Sequence, residues 1–295
     1  MLNQGTTGRT TNSPDIAPVV IRDRGHKPPK ASQYVTGTQL KDFINAVRFA
    51  DSQKLGLSVH ATIHWQATGR LEGCHSSVEA DQECARMRTR LLSKLKRWLT
   101  KKGMPVAYAW VNEVGKTYGE HTHLFIHLPH YMRYAKGTQQ DRHAAWIGLV
   151  KRLEDYLYRV GGFKDYENRP DHRNKAIKLT YGRYGMHSKG MLAGAIKYLV
   201  KGLSPTETVQ TGFGRVPLIE YLGVTHKGNA RATTRHRYGL SHSIGPKAQR
   251  EAGFVPVSSV EDAYTALHPK PAFKPLKSCS GHSTCLSPKG SSLIP

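Results

Sequence analysis

The chain has 295 residues, 38% of them hydrophobic, and its 44 Lys and Arg against 21 Asp and Glu give a formal net charge of +23. Four cysteines are too few for a secreted disulfide scaffold. No stretch offers the roughly 18 apolar residues of a membrane helix or the apolar core of a signal peptide. The positive charge predicts a polyanionic partner, because Lys and Arg that neutralise phosphates release counterions. We therefore expect a soluble, basic protein of a reducing compartment.

Composition divides the chain into four parts. The predicted parts are a flexible basic tail (1–33), a folded domain (34–206), a basic, DNA-contacting extension (207–255) and a disordered tail rich in Pro, Ser and Lys (256–295). Tails of this composition bury too little apolar surface to offset the entropy lost on ordering. Cys279, His282 and Cys285 lack a fourth ligand nearby, so a flexible tail is favoured there over a metal knuckle.

Within the folded domain the apolar spacing alternates between the helical and the strand period. In chain order it predicts a helix at 38–54, a strand at 57–65, a helix at 77–102, strands at 105–114 and 120–128, a helix at 138–160, a strand at 176–181 and a helix at 188–201. Ser76 or Ser77 can cap the second helix. The order βαββαβα after the first helix predicts an α+β fold in which helices cover an antiparallel sheet.

The predicted hairpin of strands 105–114 and 120–128 carries a candidate metal site. His121, His123 and His127 share one face of the second strand, because side chains alternate with period two. Folding the hairpin about Thr117 places Glu113 opposite His121 on that face. One carboxylate and two imidazoles suit Mn²⁺ or Mg²⁺ with open positions for phosphate oxygens. The plain alternative is a solvated sheet face, and His127 is the alternative third ligand to Glu113.

The predicted helix 188–201 carries a candidate nucleophile. Tyr198 and Lys201 are three residues apart and share a helix face, which also carries Gly190 and Gly194. The glycines leave room for a substrate backbone, and Lys201 can assist a phenol in attacking phosphorus. The alternative interpretation is a half-buried tyrosine beside a lysine that interacts with the helix C-terminus.

Together, the pattern E-x7-H-x-H and the later Y-x-x-K resemble the HUH endonuclease superfamily, and within it the single-tyrosine rolling-circle replication initiators of plasmids and phages. The resemblance covers about residues 55–204. It implies that His121, His123 and Glu113 bind the metal, and that Tyr198, with Lys201 as its companion, cleaves single-stranded DNA and leaves a 5′-phosphotyrosine and a free 3′-hydroxyl. Thr122 departs from the family, which prefers a bulkier apolar residue between the histidines. Position 202, where many relatives carry a second catalytic tyrosine, is Gly.

Two acid-free basic blocks predict a track for nucleic acid. Residues 172–206 contain seven Lys or Arg and residues 221–250 contain six, with tyrosines between them on which unpaired bases can stack. The predicted DNA contacts are Arg173, Lys175, Lys178, Arg183, Lys189, Lys197, Arg231, Arg235 and Arg237. Tyr181 and Tyr184 are expected to be structural or to contact DNA. His60 and His64 are expected to be exposed strand residues, with DNA contact as the alternative.

These features favour a metal-dependent DNA nicking and joining enzyme that starts rolling-circle replication. Its expected partners are the single-stranded DNA or hairpin of a replication origin and a host helicase and polymerase, because no G-x4-G-K-[ST] motif is present. The resemblance implies the cytoplasm of a bacterial host. A transposase of the same superfamily would use the same residues. A conjugative relaxase is disfavoured because its tyrosine precedes the histidines. A non-enzymatic DNA-binding regulator would need none of these residues.

Overall fold

A computed structural model describes residues 34–115, 119–129, 138–164, 175–181, 196, 198–211, 214–223 and 237–267. Several predictions fall outside these residues. They concern the tail 1–33, helix positions 188–195, the tail beyond 267 with its Cys279, His282 and Cys285, and the side chains Arg173, Arg183, Tyr184, Lys189, Lys197, Arg231 and Arg235.

The described residues form helices and strands in nearly the predicted order. They are α1 (Gly37–Ser52), β1 (Val59–His64), a 3₁₀ turn (Trp65–Thr68), α2 (Ser77–Lys101), β2 (Tyr108–Gly115), β3 (Gly119–Ile126), α3 (Gln139–Gly161), β4 (Ile177–Tyr181), β5 (Thr208–Thr211), β6 (Gly214–Pro217), α4 (Leu218–Tyr221), β7 (Tyr238–Leu240), α5 (Pro246–Glu251) and α6 (Val260–Leu267). Ile196 and residues 198–200 are also helical. No described helix combines the length and the apolar character that crossing a membrane requires.

Local side chains fix where the long helices begin. Thr36 and Gln39 form a capping box at α1, and Thr138 and Asp141 form one at α3. At α2 the sequence left two candidates, and the cap is Ser76, whose hydroxyl accepts a hydrogen bond from the Glu79 amide.

The main sheet is antiparallel throughout, with strand order β4-β1-β3-β2-β7, and β5 pairs with β6 in a separate ribbon. The predicted α+β fold with an antiparallel sheet is therefore confirmed. The sheet separates two hydrophobic clusters. One face packs against α1 and the helical residues around Leu199, and the other against α2 and α3. We call the face toward α1 and Leu199 the catalytic face; it carries the even-numbered residues of β1 and the odd-numbered residues of β2 and β3.

The end of the helix that carries Tyr198 is tied to the beginning of the described chain. Val35 forms a parallel bridge with Leu203, in which the Val35 amide donates to Gly202 and the Ser204 amide donates to Val35. This pairing joins two segments that are far apart in sequence.

Two parts of the predicted domain division need correction. Residues 256–267 are not a disordered tail: α6 packs on α1, Ala263 is fully buried, and the side chain of Asn45 exchanges hydrogen bonds with the backbone of Val257. The predicted basic extension also supplies β7, which pairs with β2 at the edge of the main sheet. Both elements are short, so neither carries a long apolar repeat in the sequence.

Candidate active site

The β2–β3 hairpin brings the predicted metal ligands together. Glu113 pairs with His121 in the strand register, as the sequence predicts. The Glu113 Oε2 atom lies 3.2 Å from His123 Nε2 and 3.6 Å from His121 Nε2. The ligand atoms of these three residues all lie within 4.8 Å of one another, and among the described residues this is the one such group.

The donor set fits a divalent cation. It offers one carboxylate oxygen and two imidazole Nε2 atoms from one side, which leaves positions open for phosphate oxygens. Burial alone would raise the pKa of Glu113, but hydrogen bonds from His121, His123 and Lys201 hold it well below its usual value. The carboxylate is therefore ionised at neutral pH and available as a ligand.

The histidines at this site are neutral at physiological pH. Burial is the main cause that lowers the pKa of His123 to about 4, although Glu113 opposes the shift. Burial, together with His121 and His123, lowers the pKa of His64 to about 4. Neutral imidazoles keep a lone pair, and a lone pair is what a metal ligand needs.

Tyr198 reaches the catalytic face directly beside the ligands. Its ring stacks on that of His123, with centroids 3.6 Å apart and an angle of 14° between the planes. The Lys201 ammonium lies 4.7 Å from the centre of the tyrosine ring and 3.0 Å from Glu113 Oε1. Lys201 thus occupies one carboxylate oxygen, while the histidines face the other. The sequence placed Tyr198 and Lys201 on one helix face, and both lie against the ligand group.

His127 lies outside the ligand group. It is buried, and its Nδ1 atom is 2.9 Å from the carbonyl oxygen of Gly56. Of the two third ligands that the sequence left open, Glu113 is the one that converges with His121 and His123.

The expectation that His60 and His64 are exposed strand residues is wrong. The His60 Nε2 atom is 3.0 Å from His123 Nδ1, and the His64 ring lies 5.6 Å from that of His121. Burial, with His123 and Lys178, lowers the pKa of His60 to about 3. The sequence signal was present in the alternation of β1, but nothing local revealed that β1 pairs with β3.

Thr122 explains its own departure from the family pattern. Its side chain points to the face opposite the ligands, where its hydroxyl accepts a hydrogen bond from Trp65 Nε1 at 2.8 Å and donates one to Asn112 Oδ1 at 2.6 Å. The Asn112 amide in turn donates to Glu120, which lies 3.7 Å from Arg88. A buried polar network thus holds the ligand strand from behind, where an apolar residue would leave the Trp65 and Asn112 groups unpaired.

Gly202 makes room for Arg237. A Cβ at position 202 would lie 2.6 Å from Arg237 Nε, so a tyrosine could not be accommodated there without displacing the guanidinium group. Arg237 is only 4% exposed. The prediction that it contacts DNA at the surface is therefore corrected: its charge lies inside the domain, where Glu113 is one of the groups that interact with it.

The other described basic residues divide between the two faces. Lys178 is exposed and pairs in register with Thr62, which places it on the catalytic face. Lys175 lies 3.7 Å from Glu154 on α3, on the opposite side of the sheet. Tyr181 pairs with Val59 and also lies on that opposite face.

Residues 76–207 match the family model of a replication-associated protein, ORF2. No curated protein and no solved structure matches the chain. The matched span includes Glu113, His121, His123, Tyr198 and Lys201. This similarity is consistent with a replication initiator and implies an interaction with DNA.

Proposed function

We propose that the protein is a metal-dependent endonuclease and ligase that nicks single-stranded DNA and starts rolling-circle replication. The observation that supports it most is the stacking of Tyr198 on His123, because it places a phenol beside a group of ligands. The match to a replication-associated family supplies the biological context.

Glu113, His121 and His123 would hold Mn²⁺ or Mg²⁺, as the chemistry of the donor set allows. Such an ion polarises a phosphate oxygen of the scissile bond. The Lys201 ammonium keeps Glu113 ionised and oriented, because it is in contact with the oxygen that the histidines do not face. The same ammonium lies over the tyrosine ring, where its positive charge stabilises the negative charge that develops on the phenol oxygen during attack.

The chemical step assigned to Tyr198 is an in-line transfer. Its hydroxyl loses a proton, the oxygen forms a bond to phosphorus, and the bond from phosphorus to the 3′ oxygen breaks. The departing oxygen takes up a proton and becomes the 3′-hydroxyl that a polymerase extends. The phosphotyrosine stores the energy of the phosphodiester, so the reverse attack by a 3′-hydroxyl rejoins the strand. A host helicase would unwind the duplex.

Incubation with single-stranded DNA that covers the protein's own replicon tests this proposal. We expect a protein–DNA adduct that survives a denaturing gel, disappears with a chelator and returns with Mn²⁺ or Mg²⁺. A regulator that binds DNA without cutting it would shift the DNA in a native gel and form no adduct, which would refute the proposed chemistry. Comparing origin DNA with transposon ends distinguishes an initiator from a transposase of the same chemistry.

A further inference from the structure

We propose that His60 is a positioning residue that orients His123 for the metal by accepting a hydrogen bond from its Nδ1–H. The inference rests on the proposed function, in which His123 is a metal ligand. It concerns a side chain of β1 that belongs neither to the ligand group nor to the nucleophile segment.

The hydrogen-bond chemistry of His123 requires a partner on its far side. Its Nε2 atom faces Glu113 at 3.2 Å, so the cation would take the Nε2 lone pair. A neutral imidazole that gives its Nε2 lone pair carries its proton on Nδ1, and that N–H needs an acceptor in a buried site. His60 Nε2, at 3.0 Å, stands where this acceptor is required.

Packing holds His60 in the geometry that this role demands. Its ring is stacked on Phe125, with centroids 4.5 Å apart and an angle of 9° between the planes. The strand register pairs His60 with Phe125 and Thr62 with His123, so His60 reaches His123 across the diagonal between β1 and β3. Thr62 Oγ1 is the other polar atom nearby, but it is 3.4 Å from His123 Nδ1.

The second histidine ligand is oriented differently. His121 Nδ1 lies 3.1 Å from the carbonyl oxygen of Gly119, so its acceptor is the backbone of its own strand. His121 therefore needs no side-chain partner of this kind. The two ligands consequently differ in one testable respect: a side-chain substitution can remove the acceptor of His123 and leave that of His121 in place.

Two substitutions at position 60 separate the hydrogen bond from the packing. His60→Phe keeps an aromatic ring against Phe125 and removes the acceptor. His60→Gln supplies an oxygen near the former position of Nε2. Calorimetric titration with Mn²⁺ should give a dissociation constant about 10–100-fold higher for His60→Phe, and a value near wild type for His60→Gln. Thr62→Val, the matched control, should change the constant little. The affinity for single-stranded DNA in the presence of a chelator should be equal in all four proteins.

Three results would overturn the inference: unchanged Mn²⁺ affinity in His60→Phe, equal weakening in His60→Phe and His60→Gln, or weakening by Thr62→Val in place of His60→Phe. A measurement on the unaltered protein covers the case in which a variant fails to fold. In ¹⁵N-labelled protein loaded with Mg²⁺, we expect a scalar coupling between His60 Nε2 and His123 Nδ1 across the hydrogen bond. Its absence would also overturn the inference.

These outcomes are distinguishable from failure of the proposed function. If the wild-type protein binds Mn²⁺ through His60-dependent geometry but forms no adduct with DNA, the nicking chemistry fails and the role of His60 stands. If the adduct forms and His60→Phe binds Mn²⁺ normally, only the role of His60 fails. A wild-type protein that binds neither Mn²⁺ nor Mg²⁺ would overturn both.

Discussion

The rings of Tyr198 and His123 are stacked 3.6 Å apart, although the two residues come from a helix and a strand that are separated by α3 and β4. This contact makes the imidazole of a candidate metal ligand one wall of the pocket for the candidate nucleophile. It implies that a substitution at one of the two positions must be judged by its effect on both.

Replacing Tyr198 by Phe should abolish the covalent adduct. The change removes one hydroxyl and keeps the ring that stacks on His123, so Mn²⁺ affinity and DNA affinity should stay within about twofold of wild type, as for a substitution that removes only a transition-state group. Tyr181→Phe is the matched control, because Tyr181 lies on the opposite face of the sheet. An adduct that persists in Tyr198→Phe and is lost in Tyr181→Phe would show that the nucleophile is misassigned.

Replacing His121 and His123 together by Ala should remove both cleavage and the response to metal. Two of the three clustered ligands are lost, so the rise in melting temperature that Mn²⁺ gives the wild-type protein should vanish. Binding to single-stranded DNA should be largely retained, because exposed cations supply it. The readouts are differential scanning calorimetry with and without Mn²⁺ and a nicking assay. Undiminished nicking in the double variant would end the metal assignment.

Lys201→Met should slow adduct formation without abolishing it. The variant keeps the aliphatic stem but removes the ammonium that contacts Glu113 Oε1 and lies over the Tyr198 ring. The phosphate would still be polarised through the ligand group, so single-turnover rates should fall by about 10–100-fold, on the scale of one lost electrostatic contact. Rates equal to wild type would show that Lys201 only stabilises the helix end.

Lys178→Ala should weaken binding to single-stranded DNA, whereas Lys175→Ala should not. Lys178 is exposed on the catalytic face, while Lys175 is paired with Glu154 on the other side of the sheet. Loss of one phosphate contact should make the slope of log affinity against log salt shallower by about 0.7. Fluorescence anisotropy at several salt concentrations measures both quantities. Equal losses for the two variants would indicate a diffuse charge effect.

Truncation should separate α6 from the residues beyond it. A chain that ends at Val255 loses the packing of Val260 and Ala263 on α1 and leaves the Asn45 amide without its backbone partners. We expect it to be destabilised by about 3 kcal/mol or more, since burial of one Val contributes about 1.5–3 kcal/mol and an unpaired buried amide costs about 1–3 kcal/mol.

A chain that ends at Leu267 is the control and should unfold in urea at the wild-type midpoint. Equal midpoints for the two truncations would show that α6 adds no stability. Residues 256–267 carry three turns of chain at most, which is too little sequence for the helical period to stand out.

The sequence predicted the parts of the site that depend on neighbouring residues. The alternation of β3 and the short turn before it were enough to place Glu113 opposite His121, and helical spacing was enough to place Lys201 beside Tyr198. It could not predict the hydrogen bond between His60 and His123, because that contact depends on the register between β1 and β3, which no local pattern encodes.

The burial of Arg237 was missed for a related reason. A cation within an acid-free block has the composition of a solvated surface, and only the tertiary fold places it against Gly202. The Thr122 network shows the converse: one unusual residue in a motif marked a real difference, whose cause lay in Trp65 and Asn112 on the other face.

The bridge between Val35 and Leu203 has a consequence for how the site opens and closes. The metal ligands lie within a single hairpin, whereas the phenol is held in place by backbone hydrogen bonds to a residue near the amino end of the folded part. Local unfolding of that end would release the tyrosine and leave the ligands assembled. The amides of Val35 and Ser204 should then exchange with deuterium in one opening event, faster than those of the hairpin. The amino end of the domain thus acts as a clasp on the reactive side chain.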